Sequence, residues 1–428
     1  MSTDSAERLI EPTGHLNATI QVPGSKSMTN RALLIAALAE GVSELSGPLN
    51  SDDTDVMREA LVHLGVRVEI SRDTWRIYGV NGGLKKPRAP LWVQNSGTSA
   101  RFLTAATTLA SGPSELDGNA RMRERPIEHL AEALRGLGGR VETLGDNGCP
   151  PVRILGGGLP GGSATIDGRQ SSQYTSAVLL AAPYAEHDVV LGFEQDELVS
   201  KPYVDITLQM MRDFGARADW LSDTLQIQVE AGAGYHGRPY AIEPDASSAA
   251  YPFCAAAIAG GSVRITGVPQ GSLQSDWRIV DLLERMGCGV ERTGDGTQVT
   301  GSGRPLRALG EVDMNEMPDA ALAYAVVALF ADGPTRITNV GNLRIKETDR
   351  LAALETELRK LGAQATAGED WLEIRPAPLR SATIDTYDDH RMAMSFSLAG
   401  LRVPGVVIRD PGCVSKTWPD YFEVFRHF

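Results

Sequence analysis

The chain has 428 residues, 42% of them apolar and 22% charged, proportions that fit a globular protein. Its 54 acidic side chains outnumber the 41 basic ones, for a formal charge of −13, which argues against nucleic acid as a partner. Every apolar stretch is broken by polar residues short of a bilayer's width, so no membrane span is expected.

The N-terminal segment MSTDSAERLIEPTG lacks the basic and apolar regions of a signal peptide, and a cytoplasmic location is expected. Cys149, Cys254, Cys288 and Cys413 show no CxxC spacing, which suits a reducing compartment. The seven histidines form neither HxxxH nor HExxH, so no metal is expected. GSKS at 24–27 resembles a phosphate loop, but Ser25 and Ile20 stand where that loop needs glycines, and no GxGxxG follows a strand. Neither an ATPase nor a dinucleotide cofactor is supported, and no cofactor is expected.

Along the chain, a short strand pattern runs six times into a polar turn and then into an alanine-rich helix. The junctions are QVPGSKSMTNR (21–31), VQNSGTSARF (93–102), IDGRQSSQYT (166–175), IEPDASSAAY (242–251), MNEMPDAALA (314–323) and IDTYDDHRMA (384–393). A second series interleaves with them: strands ending near Gly47, Gly118, Gly192, Gly267, Asn339 and Asp410 lead through a loop into an amphipathic helix. Ile279, Leu282, Leu283 and Met286, or Leu351, Leu354, Leu358 and Leu361, give the helical spacing. Five of these helices end on Gly65, Gly138, Gly215, Gly287 and Gly362, each predicted to adopt the left-handed C-terminal conformation and open a two-strand hairpin. The sixth, YFEVFRHF, meets the end of the sequence instead. The strand around Ala18–Val22 is therefore expected to complete the last unit.

The repeating unit reads βαβαββ. Helices such as RALLIAALA and DAALAYAVVALFA are apolar all round and predicted to be buried. Six units exceed one core, and three per domain make two domains of ordinary size. The predicted fold is α/β, with residues 1–23 and 244–428 in one discontinuous domain and 24–243 in the other. A solenoid is disfavoured because solenoid repeats are shorter and simpler.

Helix N-termini carry free N–H groups and the positive end of the helix dipole, and so favour phosphate or carboxylate. The junction loops add cations to this: Lys26, Arg31, Arg101, Arg121, Arg123, Arg125, Lys201, Lys346, Arg350, Arg391 and Lys416. Any one of them could simply pair with a nearby carboxylate such as Glu124, Glu347 or Asp389 on a solvated face. Their recurrence at equivalent points of a repeat points instead to small anions as ligands.

The segments PGSKSMTNR, NSGTSAR, RMRERPI, SSQYTSAVLL, LVSKPYVDIT, EPDASSAAY, MPDAALA, RIKETDRL, YDDHRMAM and SKTWPDYF together resemble, in order and over nearly the whole chain, the EPSP synthases, the 3-phosphoshikimate 1-carboxyvinyltransferases. The resemblance implies the two-domain inverse α/β barrel of the enolpyruvyl transferases. It also implies transfer of the enolpyruvyl group from phosphoenolpyruvate to the 5-hydroxyl of shikimate 3-phosphate, as part of aromatic amino acid biosynthesis. Both substrates are polyanions, and a monomer without membrane or nucleic-acid partners is expected.

By the same resemblance, Asp319 and Glu347 are the acid–base pair, with Lys26 beside them. Lys26, Ser27, Arg31, Ser171, Ser172, Gln173, Ser200, Tyr203, Asp319, Asn342 and Lys346 are expected at shikimate 3-phosphate. Lys26, Gly97, Arg125, Gln173, Arg350, Arg391 and Lys416 are expected at phosphoenolpyruvate. The plain alternatives are a helix cap for Asp319, a first-turn acid for Glu347 and a packed neutral ring for His390. Phe102 departs from the family, many bacterial members of which carry Pro there, and is expected to face the helix interior.

Two rivals are weaker. The sister transferases acting on UDP-N-acetylglucosamine place a reactive Cys near where this chain has RMRERPI and no Cys. A non-catalytic anion-binding regulator of the same fold would have no use for carboxylates buried beside anions.

Overall fold

The computed structural model describes residues 6–428 except 72, 223 and 268–270. Its backbone separates into two compact units. Met1–Pro23 with Glu243–Phe428 forms one and Gly24–Ile242 the other, each around its own apolar core. Glu243, placed by the sequence with the second unit, groups with the first, where its carboxylate accepts hydrogen bonds from Ser272 and Gln274.

Burial follows the apolar pattern of each helix. In Ala246–Ala259 every residue is buried, and in Lys26–Leu38 all from Met28 onward. Arg350–Lys360, whose apolar residues keep to one face, buries Leu351, Ala353, Leu354 and Leu358 and leaves its other side to solvent. The five predicted helix-ending glycines all have positive φ, between 83° and 107°, and each is followed by its hairpin.

Among the described residues each unit holds three sheets. In four of the six, the strand before an alanine-rich helix pairs in parallel with the strand after it, as Gly310–Asp313 does with Thr335–Thr338. The other two sheets exchange strands. Leu16–Ile20 precedes helix Lys26–Leu38 but pairs with Gly261–Thr266, while Pro239–Ala241 precedes Ala246–Ala259 but pairs with Val42–Ser46.

That exchange corrects the expectation for the first strand. The last sheet is completed by Glu7–Ile10, antiparallel to Val406–Arg409, not by the strand around Ala18–Val22. The alternating Leu16–Ile20 buries both ends against its own partner. ERLI is short and half charged, and it carries little strand signal of its own; its Ile10 packs on Gly400 at the end of helix His390–Gly400.

The Gly400 contact gives a stability test. Helix propensity alone would make Gly400→Ala stabilising by about 1 kcal/mol, but its Cβ would fall 2.5 Å from Ile10 Cβ and Cγ2. Overpacking of this kind costs about 1–3 kcal/mol, so Gly400→Ala is expected to lower the urea midpoint. Ile10→Ala removes Cγ2 and Cγ1 but keeps Cβ, so combining it with Gly400→Ala should relieve part of that cost only.

Candidate active site

In the unit Gly24–Ile242, the predicted residues lie at the starts of helices and hold one another. Ser25 caps helix Lys26–Leu38 by accepting from the Met28 amide. Lys26 Nζ lies 3.9 Å from Asp53 Oδ2, and Asn30 Nδ2 donates to the same oxygen at 3.4 Å. Arg31 is buried and ties three helices together. Its Nε donates to Thr207 Oγ1 (2.7 Å), Nη1 to the Ser27 carbonyl (2.9 Å), and Nη2 to Ser176 Oγ (3.2 Å) and the Tyr203 carbonyl (3.1 Å). Burial pulls its pKa down to about 10, against the opposing influence of Tyr203. Most of its donors are thus used internally, so its first task is to tie together the two helix starts that carry Ser27 and Tyr203.

Ser171 caps helix Ser172–Ala181 by accepting from the Gln173 amide, and Gln173 Nε2 donates to Thr98 Oγ1 at 3.2 Å. Thr98 adjoins Gly97, the first residue of helix Gly97–Ala106. A Cβ at Gly97 would sit 2.8 Å from Arg125 Cζ and Arg101 Nη1. Arg125 is held by Asn95, whose carbonyl and Oδ1 each accept from Nη1 at 3.0 Å. Ser200 precedes helix Lys201–Asp213 in the left-handed conformation, φ 53°. Phe102 is fully buried, as its expected inward orientation requires, and its ring lies 5.3 Å from the Arg31 guanidinium. That contact joins the Gly97 helix to the Lys26 helix.

In the other unit a buried arginine gathers three carboxylates. Arg350, 1% exposed, donates through Nε and Nη2 to Asp389 Oδ2 and Oδ1 (2.7 and 3.1 Å) and through Nη1 to Asp319 Oδ1 (3.2 Å). Its Nη2 also lies 2.9 Å from Glu347 Oε2. Burial alone would lower its pKa; Asp389, Glu347 and Asp319 outweigh burial and hold it above the ordinary arginine value. Asp319 turns its other oxygen to Arg391 Nη2 at 2.9 Å, and Arg391 Nη1 donates to Tyr251 Oη at 3.3 Å. The two arginines therefore share Asp319 as a hinge pin.

Exposure sorts the carboxylates. Asp389 is 0% exposed and caps helix His390–Gly400 by accepting from the Arg391 amide, whereas Glu347 keeps 8% and Asp319 16%. Asp389 is a strut; the other two can meet a ligand. Asp349 caps Arg350–Lys360 by accepting from the Ala352 amide, and Glu347 lies ahead of that helix, whose first turn holds no acid. The first-turn reading of Glu347 is thereby set aside. His390 is fully buried with Nδ1 3.6 Å from Asp389 Oδ1. Asn342 and Lys346 sit in and just after the turn Gly341–Ile345, while Lys416 ends the turn Pro411–Lys416 and acts electrostatically on Asp388.

Sequence reasoning did not single out Asp53, Asn95 or Thr207, and it named Asp389 only within the alternative of pairing on a solvated face. Asp389 had a signal in hand, since an Asp directly before an apolar helix is a capping residue. The others hold cations across more than twenty residues of chain and left no local trace. Among the described residues no cluster of three or more His, Cys, Asp or Glu could hold a metal.

A family model for EPSP synthase (3-phosphoshikimate 1-carboxyvinyltransferase) matches residues 10–425. This chain belongs to that family. The 3-phosphoshikimate 1-carboxyvinyltransferase of Serratia proteamaculans is 47% identical over 421 residues, covering 97% of this chain and 96% of that protein. The Vibrio atlanticus enzyme of the same name is 46% identical, covering 97% and 98%. The EPSP synthase structure from Acinetobacter baumannii superposes with a TM-score of 0.80 at 28% identity, over 98% of this chain and 97% of that one. The family's two-domain α/β fold is thus shared.

Removing Arg350 would leave three carboxylates facing one another. Arg350→Met is expected to destabilise the fold by about 3–5 kcal/mol near neutral pH. The stranded like charges repel one another and are relieved by taking up protons, so the deficit should shrink as the pH is lowered. Urea unfolding at two pH values checks this.

Proposed function

We propose that this chain transfers the enolpyruvyl group of phosphoenolpyruvate to the 5-hydroxyl of shikimate 3-phosphate, releasing phosphate, in aromatic amino acid biosynthesis. The observation that carries the reading is the Arg350 cluster, which holds two partly accessible carboxylates against two fixed guanidinium groups in a chain of this family.

The chemistry requires that arrangement. The substrate hydroxyl loses a proton as its oxygen bonds to C2 of phosphoenolpyruvate, and C3 gains a proton to become a methyl group. C3 then returns a proton, the C2–O bond to phosphate breaks and the double bond re-forms. Two acid–base groups suffice and no covalent enzyme intermediate is needed. Asp319 takes the hydroxyl proton and Glu347 serves C3. Arg350 and Arg391, already planar forks aimed at carboxylate oxygens, suit the carboxylate and phosphate of phosphoenolpyruvate, with Lys416 beside them. Lys26, Gly97, Arg125 and Gln173 are the further phosphoenolpyruvate residues of this reading. Ser27, Arg31, Ser171, Ser172, Ser200, Tyr203, Asn342 and Lys346 serve shikimate 3-phosphate, and Lys26 and Gln173 serve both substrates.

We take a monomer as the working unit. Four unpaired cysteines fit action in the cytoplasm.

Phosphate release should require both substrates together. Release with UDP-N-acetylglucosamine in place of shikimate 3-phosphate would favour the sister transferases, and binding without release would favour a regulator. Glu347→Gln keeps shape and hydrogen bonding but not the proton, and should lower kcat on the order of 10²-fold or more with substrate binding retained. Asp319→Ala should lower kcat and also weaken shikimate 3-phosphate.

Gly97→Ala would press its methyl on the Arg125 guanidinium. Glyphosate, an anion slightly longer than phosphoenolpyruvate and an inhibitor of this family, should suffer more than the substrate does, by roughly 1–3 kcal/mol. A ratio of glyphosate Ki to phosphoenolpyruvate KM that does not rise in the variant would remove Gly97 from the pocket.

A further inference from the structure

Helix His390–Gly400 carries Arg391 on its first turn and Asp389 as its cap, and the chain enters it through an unusual turn. Tyr387 and Asp388 are both left-handed, with φ of 57° and 54°. One such residue is uncommon, and for a large side chain it is a strained state that persists only where its surroundings impose it. Two in succession need a restraint.

The restraint is Glu357, which is 0% exposed on the neighbouring helix Arg350–Lys360. It accepts from Tyr387 Oη at 2.6 Å, from the Asp385 amide at 3.2 Å and from Lys360 Nζ at 2.8 Å. Lys360 Nζ also reaches Asp385 Oδ2 at 2.6 Å. The first residue of that same helix, Arg350, holds Asp389. One rigid helix thus grips the turn twice, at points about 10 Å apart along its axis: Glu357 takes residues 385 and 387, and Arg350 takes residue 389.

A buried ion pair is a poor source of stability, since apolar residues of similar volume commonly do as well. What Glu357 supplies here is a single conformation of the turn. We infer that Glu357 and Tyr387 are positioning residues: by fixing the left-handed turn they set where the Arg391 guanidinium points, and so determine capture of the phosphoenolpyruvate anion without touching it. This rests on the proposed placement of Arg391 at phosphoenolpyruvate.

The test compares Tyr387→Phe, Glu357→Gln and the double variant, with each substrate varied separately. Each single variant should raise the KM for phosphoenolpyruvate about three- to tenfold, as expected for one lost hydrogen bond in a coupled set. Neither kcat nor the KM for shikimate 3-phosphate should move by more than about twofold. The double variant should be no worse than Glu357→Gln alone, because Tyr387 acts through Glu357. Tyr387→Phe removes a single hydroxyl at a residue that is 40% exposed, so it keeps the test open even if Glu357→Gln folds poorly. Unchanged kinetics, or losses spread evenly over both substrates and kcat, would overturn the inference. Arg391→Lys run alongside separates the two claims: if it leaves the phosphoenolpyruvate KM unchanged, the placement of Arg391 fails. If it raises that KM while Tyr387→Phe and Glu357→Gln do not, only the positioning inference fails.

Discussion

Burial of the Arg350 guanidinium among Asp319, Glu347 and Asp389 is the constraint on which the rest of this unit depends. A buried cation without partners is untenable, and a single carboxylate would leave part of the planar fork unsatisfied. Three carboxylates satisfy the fork, and in doing so they are brought close together. Those three come from three loops of two successive repeats, so one side chain fixes the relative positions of three loops. It also keeps carboxylates side by side that would otherwise repel. The net charge of the five groups, two arginines and three acids, is close to balanced before any substrate arrives. Asp319 and Glu347 keep some access to solvent, and Asp389 keeps none. One arrangement therefore yields both a scaffold and two acid–base groups.

The unit Gly24–Ile242 solves a similar problem differently. Its buried Arg31 is met by hydroxyls and carbonyls, not by carboxylates. Neutral acceptors do not offset desolvation as acids do, which is why the Arg31 pKa falls while that of Arg350 rises. An uncompensated cation at the start of several helices leaves positive potential for anions. Arg125 is tethered in a comparable way, by the neutral Asn95, whereas Lys26 lies 3.9 Å from a carboxylate, that of Asp53. In an acidic protein, such restraint preserves local attraction for negative ligands.

Much of this was legible in the sequence because the repeat writes it six times. Alanine-rich helices, amphipathic helices and helix-ending glycines recur in register, so each element is supported by four or five others. The strand exchange was only half legible: the first strand could be assigned to the C-terminal half, but its partner could not, because parallel pairing between distant segments leaves no local pattern. ERLI was missed as a strand because a short edge strand with two charges resembles a loop. At the site, residues that present charge at a helix start were readable, whereas those that hold the charge were not. Asp53, Thr207 and Glu357 act across the fold, and nothing in their immediate neighbours distinguishes them from ordinary helix residues. Tyr387 and Asp388 gave no warning of their left-handed backbone, since neither residue type demands it.

The central claim is that Glu347, held against Arg350, exchanges a proton with C3 of the enolpyruvyl group. During addition C3 becomes a methyl group, and on elimination it can return any one of three hydrogens, so turnover in D2O should leave deuterium in the methylene of the product. The direct measurement is mass-spectrometric deuterium incorporation at that carbon, in single turnovers with enzyme in excess, for the parent and for Glu347→Gln. The account predicts incorporation in the parent and a loss on the order of 10²-fold in its rate for the variant, with both substrates still bound. Incorporation by the variant at the parent rate would contradict it.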